Sequence, residues 1–367
     1  MDEDVRLAEQ ALVAGLVLEP HRLGEVAALS VAELSSPACR LVFSTLRRLH
    51  GGGAPVSADM LVDALRTSGQ LRSDGYPVSG LVRWFDELPS PAALPSYARV
   101  VAEAAVCRRV ESVGVRLVQV ASRPEPSRAL LAAAGQRCLL LAELRRFPDD
   151  VAAATTSGGS LEPAGGEPAA TDGSPADRCD RSSVVDADVA HAELVTVGSL
   201  LWAPALSFRL SRWLAPMDFA VPEHAVVFGR VSAMVRDGVP VDRVTVRDQL
   251  RRHGELPDAV AGELLARAEA SVPVPASAPF YARQVLAASV VRQVGSAGEQ
   301  LVRLGRERRG GAPTVLRRAV GAVDALAPLR HRLRRAQGSV TSAPRPEVVR
   351  RSAQRVGRAA QPVAERG

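Results

Sequence analysis

The stretch "DELPSPAALPSYARVVAEAAVCRRV" (residues 86 to 110) returns 184 positions later as "ASVPVPASAPFYARQVLAASVVRQV" (residues 270 to 294). Each contains Pro, one residue and Pro, passes through a short loop, and reaches Tyr-Ala-Arg at the opening of a helical pattern. Working outward from this pair, the two halves of the chain agree in order. "LVLEP" (16–20) matches "LLWAP" (200–204), and "VF" (42–43) matches "VF" (227–228). "GAPVS" (53–57) matches "GVPVD" (238–242), and "LVDALRTSGQL" (61–71) matches "VRDQLRRHGEL" (246–256). The offset stays at 184 or 185 throughout, which is the mark of a domain duplicated in tandem.

Both halves read as helices. Leu7, Leu12, Leu16 and Val17 fall near helical spacing up to Pro20, and a short helix is expected over Leu23 to Leu29. Ser36 and Pro37 form an N-cap and first-turn pair for a helix carrying Leu41, Val42, Leu46 and Leu49, stopped at Gly51-Gly52-Gly53. Ser57 is placed to cap a helix with Met60, Leu61 and Leu65, and a further helix is expected from Ser79 to Leu88. Two long helices follow, from about Ser96 to Ser122 and from about Pro126 to Arg146. Their short polar connection, "SRPEP", favours an antiparallel hairpin.

The predicted architecture is therefore all-α: two tandem helical domains, each a small globule followed by a helical hairpin. Residues 1–147 and 189–337 are the two copies. Residues 148–188, built from Ala, Gly, Pro, Ser, Thr and Asp, read as a flexible acidic linker, because they have too little apolar surface to offset ordering entropy. Residues 338–367 read as a disordered basic tail.

Composition narrows the chemistry. The chain has 367 residues, a formal charge of +6, and 46 basic residues, every one of them Arg. Without Lys, a Walker A phosphate loop cannot be built, and Schiff-base or Lys-general-base mechanisms are excluded. Cys39, Cys107, Cys138 and Cys179 are far apart, and the few His residues lack zinc-ligand spacing, so no metal or disulfide framework is expected. "GGG" (51–53) ends a helix where phosphate binding would need it to open one, and no nucleophile elbow is present. The chain reads as a non-enzyme without a cofactor. It has no long uncharged apolar run and an acidic start, "MDEDVRLAEQ", so a cytoplasmic protein without a membrane segment is expected.

The pattern resembles the N-terminal domain of DnaB-type replicative DNA helicases. In the first copy the resemblance rests on Ala8-Glu9, Leu18-Glu19-Pro20, Cys39 to Phe43, Gly53 to Val56, Leu65 with Gly69 and Leu71, Pro89-Ser90, Tyr97 to Val101, and Arg108-Arg109. In the second it rests on Ala203-Pro204, Phe219, His224, Val227-Phe228, Gly238 to Asp242, Leu250 with Gly254 and Leu256, and Tyr281-Ala282-Arg283. Cys39 stands where that family has His, and Ala225 where it has Arg. The second copy shows the Ala-Glu opening only loosely, as His191-Ala192-Glu193. Neither the linker nor the tail has room for a RecA-like motor, so no ATP hydrolysis is expected.

The resemblance implies a protein-protein interaction module of replication, which pairs through its hairpin and meets a helicase or primase. It also implies that a domain acting as a pair is here supplied as a covalent pair. Tyr97, Arg99, Arg108, Arg109, Tyr281 and Arg283 are the candidate partner contacts. An alternative is an accessory nucleic-acid-binding protein, with Arg330, Arg332, Arg334 and Arg335 as candidate contacts to phosphate. Whether the halves pair within one chain or between chains stays open at the level of sequence.

Overall fold

A computed structural model describes residues 3–52, 56–67, 93–147, 186–308 and 311–338. All regular elements among the described residues are helical. The α-helices are α1 (Glu3–Leu18), α2 (Pro37–Gly51), α3 (Ala58–Thr67), α4 (Leu94–Ala121), α5 (Pro126–Leu144), α6 (Ala187–Trp202), α7 (Leu206–Leu210), α8 (Pro222–Arg236), α9 (Arg243–Arg252), α10 (Asp258–Ala270), α11 (Ala278–Glu307), α12 (Ala312–Asp324) and α13 (Ala327–Gly338). Short 3₁₀ turns cover Pro20–Val26, Val31–Glu33, Pro216–Asp218 and Pro275–Ser277. The expected helix at Ser79 to Leu88, the linker core and the basic tail lie outside the described residues.

Local chemistry sets the ends. The Ser36 hydroxyl accepts a hydrogen bond from the Cys39 amide at 3.4 Å, and Pro37 occupies the first helical position, where a missing N–H costs nothing. Ser57 caps α3 by accepting from the Met60 amide at 3.2 Å. Asp242 caps α9 through the amides of Val244 and Thr245 at 2.7 and 2.9 Å. The repeated glycines have a structural reason that is visible in the second copy. Gly238 and Gly254 take φ of +70° and +63° just past α8 and α9. There, Val239 N–H reaches back to the Met234 carbonyl and Glu255 N–H to the Leu250 carbonyl, closing Schellman-type ends.

The chain forms two compact units. The first consists of Met1–Val120, Leu131–Glu162 and Val294–Ala325. Its core joins Leu12, Leu16, Leu34, Phe43, Leu46, Leu61, Leu65, Leu94 and Val101 from α1 to α4. The second consists of Ala121–Leu130, Pro163–Gln293 and Leu326–Gly367. Its core holds Val195, Leu200, Trp213, Val231, Leu250, Leu265, Val285 and Leu286, with the Phe219 and Phe228 rings 4.9 Å apart. In that unit Gly198 of α6 lies against the backbone of α10, where a Cβ would run into the Ala268 carbonyl.

The first unit thus draws on both copies. Alongside the first globule, α4 up to Val120 and α5 from Leu131, it contains the distal part of α11 from Val294 onward and all of α12.

The second copy also carries the Ala-Glu opening in full, which corrects the looser expectation from sequence. Glu9 is completely buried and accepts from the amides of Ser35 and Ser36 at 2.6 and 2.8 Å. Glu193, 184 positions on, is completely buried and accepts from the amides of Ala220 and Val221 at 2.5 and 3.1 Å. The two carboxylates hold the chain entering α2 and α8 respectively, supplying a charged acceptor to amides at the helix start. The second site adds His224, whose Nδ1 lies 3.0 Å from Glu193. The first has Cys39 at the equivalent place, a buried thiol.

Candidate interaction surface

The helices that meet in the first unit are long because their sequences permit it. Leu94 to Ala121 and Ala278 to Glu307 contain Pro only at their first turns, and their interior glycines are few. A glycine inside a helix costs about 1 kcal/mol relative to alanine, so an interior glycine wants a steric reason. Gly114 of α4 and Gly298 of α11 supply one to each other. A Cβ on Gly114 would stand 2.5 Å from the Gly298 carbonyl oxygen and 2.7 Å from the Val302 nitrogen. A Cβ on Gly298 would stand 2.8 Å from the Gly114 carbonyl oxygen and 2.9 Å from the Val118 nitrogen.

The contact is reciprocal in sequence as well. Gly298 is Gly114 advanced by 184, and Val302 is Val118 advanced by 184. Gly114 touches its own duplicate, and Val302 meets Gly114 as Val118 meets Gly298, which is the reciprocity an isologous interface requires, here made between two parts of one chain. One heptad beyond Gly298, Gly305 continues the close approach, where a Cβ would lie 2.7 Å from the Cys107 carbonyl oxygen and 2.8 Å from Glu111.

Ion pairs flank this seam. Arg306 of α11 donates to Glu111 of α4 at 2.8 Å, and Arg137 of α5 pairs with Asp324 of α12. Exposed pairs of this kind contribute about 0–1 kcal/mol each, so they orient the helices more than they hold them. The close packing of apolar and glycine surface supplies the cohesion.

Each unit also contains a buried acid that receives arginine side chains. In the first unit the Glu33 carboxylate receives the Ser30 amide at 2.7 Å, Arg109 at 3.4 Å and Arg146 at 3.1 Å. Glu143 of α5 bridges the same two arginines at 2.5 and 3.3 Å. Arg108 donates to the Glu33 backbone carbonyl. In the second unit Asp218 takes the place of Glu33. It receives the Ala215 amide at 2.7 Å, the Ser289 hydroxyl at 2.8 Å and the Arg332 guanidinium, while Arg292 donates to its backbone carbonyl at 2.6 Å. Burial pulls the Arg108 and Arg292 guanidiniums below their ordinary range, and an arginine keeps its charge even so.

The candidate residues named from sequence separate into groups. Tyr97 is half-buried on the first core, and Arg99 is exposed beside it. Arg108 and Arg109 are engaged with Glu33 and Glu143. Tyr281 is half-buried, with its ring edge-on to His191 at 6.0 Å and to Phe280 at 5.3 Å; Arg283 is half-buried as well. Arg330, Arg334 and Arg335 are exposed on α13. Arg332 departs from them: it turns inward, donating to Asp218 and to the Trp213 carbonyl, because the buried Asp218 carboxylate needs a cation. The seam glycines were absent from the sequence candidates, although a helix-interior glycine recurring at the duplication offset was there to be read. Among the described residues no cluster of His, Cys, Asp and Glu could hold a metal ion, and no helix is long and apolar enough to cross a membrane.

The model of the DnaB-like helicase N terminal domain matches residues 3–103 and again residues 187–287, together more than half of the chain. The chain belongs to this family. Its two DnaB-like domains start at α1 and α6 and run into α4 and α11, so the matched regions take in the globules and the proximal parts of the long helices. The replicative DNA helicase DnaB of Leifsonia xyli subsp. xyli is 32% identical over 119 residues, covering 32% of this chain and 26% of that protein. The replicative DNA helicase DnaB of Mycobacterium leprae is 32% identical over 125 residues, covering 34% of this chain and 20% of the relative. That of Geobacillus stearothermophilus is 31% identical over 104 residues, 28% of this chain and 23% of the relative. The chain therefore spans about a quarter or less of the length of these DnaB helicases. No solved structure matches it.

Proposed function

We propose that this chain is a non-enzymatic interaction protein of DNA replication, a DnaB-like collar domain supplied as a covalent pair that closes its hairpin surface on itself and leaves its outer faces to a helicase or primase. The observation that carries this reading is the reciprocal contact of Gly114 with Gly298. Each face of a self-complementary seam has its partner within the same chain, and a linked partner competes at millimolar effective concentration against any free one. Two buried acids, Glu33 in the first unit and Asp218 in the second, each pair with arginine within their own unit. The motor chemistry of a helicase has no place in this reading, since no lysine exists to reach a nucleotide phosphate.

The test is the mass in solution by light scattering, alone and after mixing with the host's replicative helicase and primase. Alone, a species of 38.7 kDa that does not grow with concentration is expected. On mixing, a heavier peak containing both proteins is expected. A concentration-dependent dimer would show that the hairpins pair between chains, and the absence of any complex with helicase or primase would overturn the replication reading. Phosphate release from ATP, with and without DNA, is expected to stay at the buffer baseline.

A further inference from the structure

We infer that α13 is a docking strip for the phosphate backbone of duplex nucleic acid, an activity separate from hairpin pairing. The first observation is where the charge lies. Residues 325–367 contain ten arginines and two carboxylates, an excess of eight where the entire chain has an excess of six. The remainder of the protein is slightly acidic, so the basic character of the chain is a property of this one end.

The second observation is what α13 does with its share. The helix contains Arg330, His331, Arg332, Arg334 and Arg335 and no Asp or Glu. Arg332 pairs with the buried Asp218, and Leu329 and Ala336 are buried, so the helix is seated in the second unit by one side. Arg330, His331, Arg334 and Arg335 stay exposed. Arg330 with Arg334, and His331 with Arg335, are four residues apart, so they form one stripe. Among the described residues, none of the three exposed arginines has a side-chain ion pair or hydrogen-bond partner. On α9 of the same unit, by contrast, all four exposed arginines are partnered: Arg243 with Glu269, Arg247 with Asp258, and Arg251 and Arg252 with Asp248.

The bland account, that arginine complements the negative end of a helix, covers Arg334 and Arg335 but leaves out Arg330 in the first turn, where the dipole disfavours a cation. Like charges at this spacing weaken a helix unless an anion neutralises them, and a row of phosphates does so with bidentate geometry. Residues 327–367 contain no Phe, Trp or Tyr. Bases of a single strand would find nothing to stack on, so the recognised feature is the backbone of a duplex, read without regard to sequence.

The test is fluorescence anisotropy of a labelled DNA duplex, and of one of its strands, titrated with the full-length protein from about 50 to 200 mM salt. The comparison is the variant Arg330→Gln, Arg334→Gln, Arg335→Gln, with circular dichroism to show an unchanged fold. The parent is expected to bind the duplex, with the logarithm of affinity falling linearly with the logarithm of salt. The variant is expected to lose about 2 to 3 from the magnitude of that slope and more than tenfold in affinity at low salt. A variant that binds as the parent does, a parent that ignores the duplex or prefers the single strand, or equal binding to poly-glutamate would each overturn the assignment. Any of these outcomes leaves the light-scattering result, and so the pairing reading, standing by itself.

Discussion

Gly114 and Gly298 face each other across two helices of one chain, each the duplicate of the other and each occupying the space that a side chain on the other's helix would need. A Cβ on either would come within 2.8 Å of the opposite carbonyl oxygen. The contact between these duplicated positions is intramolecular, and the 184-residue offset in the sequence has become a direct contact in the fold.

The glycine seam predicts opposite effects for two glycine substitutions. Gly114→Val must push backbone against backbone, and overpacking of this kind costs about 1–3 kcal/mol. Gly298→Val should cost a similar amount, with the double variant less than additive because helices already pushed apart by one Val make room for the other. Gly135→Ala, on an exposed part of α5 with open space around it, should instead raise stability by about 0.5–1 kcal/mol. Thermal and urea unfolding of the four proteins would check the ordering.

Arg332 and Arg334 lie two residues apart on α13 and should respond differently. Removing Arg332 leaves Asp218, which is wholly buried, without its cation. Breaking a buried pair from one side costs about 3–5 kcal/mol, so Arg332→Met should lower the urea midpoint strongly. Arg334→Met, which removes an exposed side chain, should stay within about 0.5 kcal/mol of the parent.

The buried acids at the helix entries predict a graded pair. Glu9→Gln keeps the shape but offers one acceptor and an unwanted NH₂ to the amides of Ser35 and Ser36, at a cost of about 1–3 kcal/mol. Glu193→Gln should cost more, because Glu193 also serves His224. Equal destabilisation of the two variants would show that the His224 contact adds nothing.

Cys39 predicts an alkaline effect. Burial pushes its thiol up from 9.0 to about 12, outweighing a hydrogen bond with Ser36. The folded state therefore keeps a proton that the unfolded chain releases, and stability present below pH 9 is lost as pH rises towards 12. Replacing Cys39 with Ala should flatten the fall in stability across this window. In native protein, iodoacetamide followed by mass spectrometry should modify the exposed Cys138 well before the buried Cys39 and Cys107.

Much of the fold was legible because helix signals are local. Ser36 with Pro37, the spacing of Leu41, Val42 and Leu46, and the short "SRPEP" connection each specify structure within a few residues of themselves. The long helix expected at Ser96 to Ser122 is found at Leu94–Ala121, and the one expected from Pro126 to Arg146 at Pro126–Leu144. The short helix expected at Leu23 to Leu29 forms instead as a 3₁₀ run at Pro20–Val26, opened by Pro20 at its first position. The site was less legible. Arg108, Arg109 and Arg332 read as surface charge, and nothing local announces that Glu33 and Asp218 will be buried beneath them.

The sequence by itself determined that the chain is helical, that it carries one domain twice, and that it has no lysine for nucleotide chemistry, because periodicity, repetition and composition need no partner elsewhere to be read. Only the tertiary structure decided that the duplicate hairpins meet within the chain, that Glu9 and Glu193 do the same work, and that Arg332 turns inward while Arg330, Arg334 and Arg335 face out. Those outcomes depend on which backbones come close enough to exclude a Cβ and which carboxylates lose their water, and both are set by contacts between residues far apart in sequence.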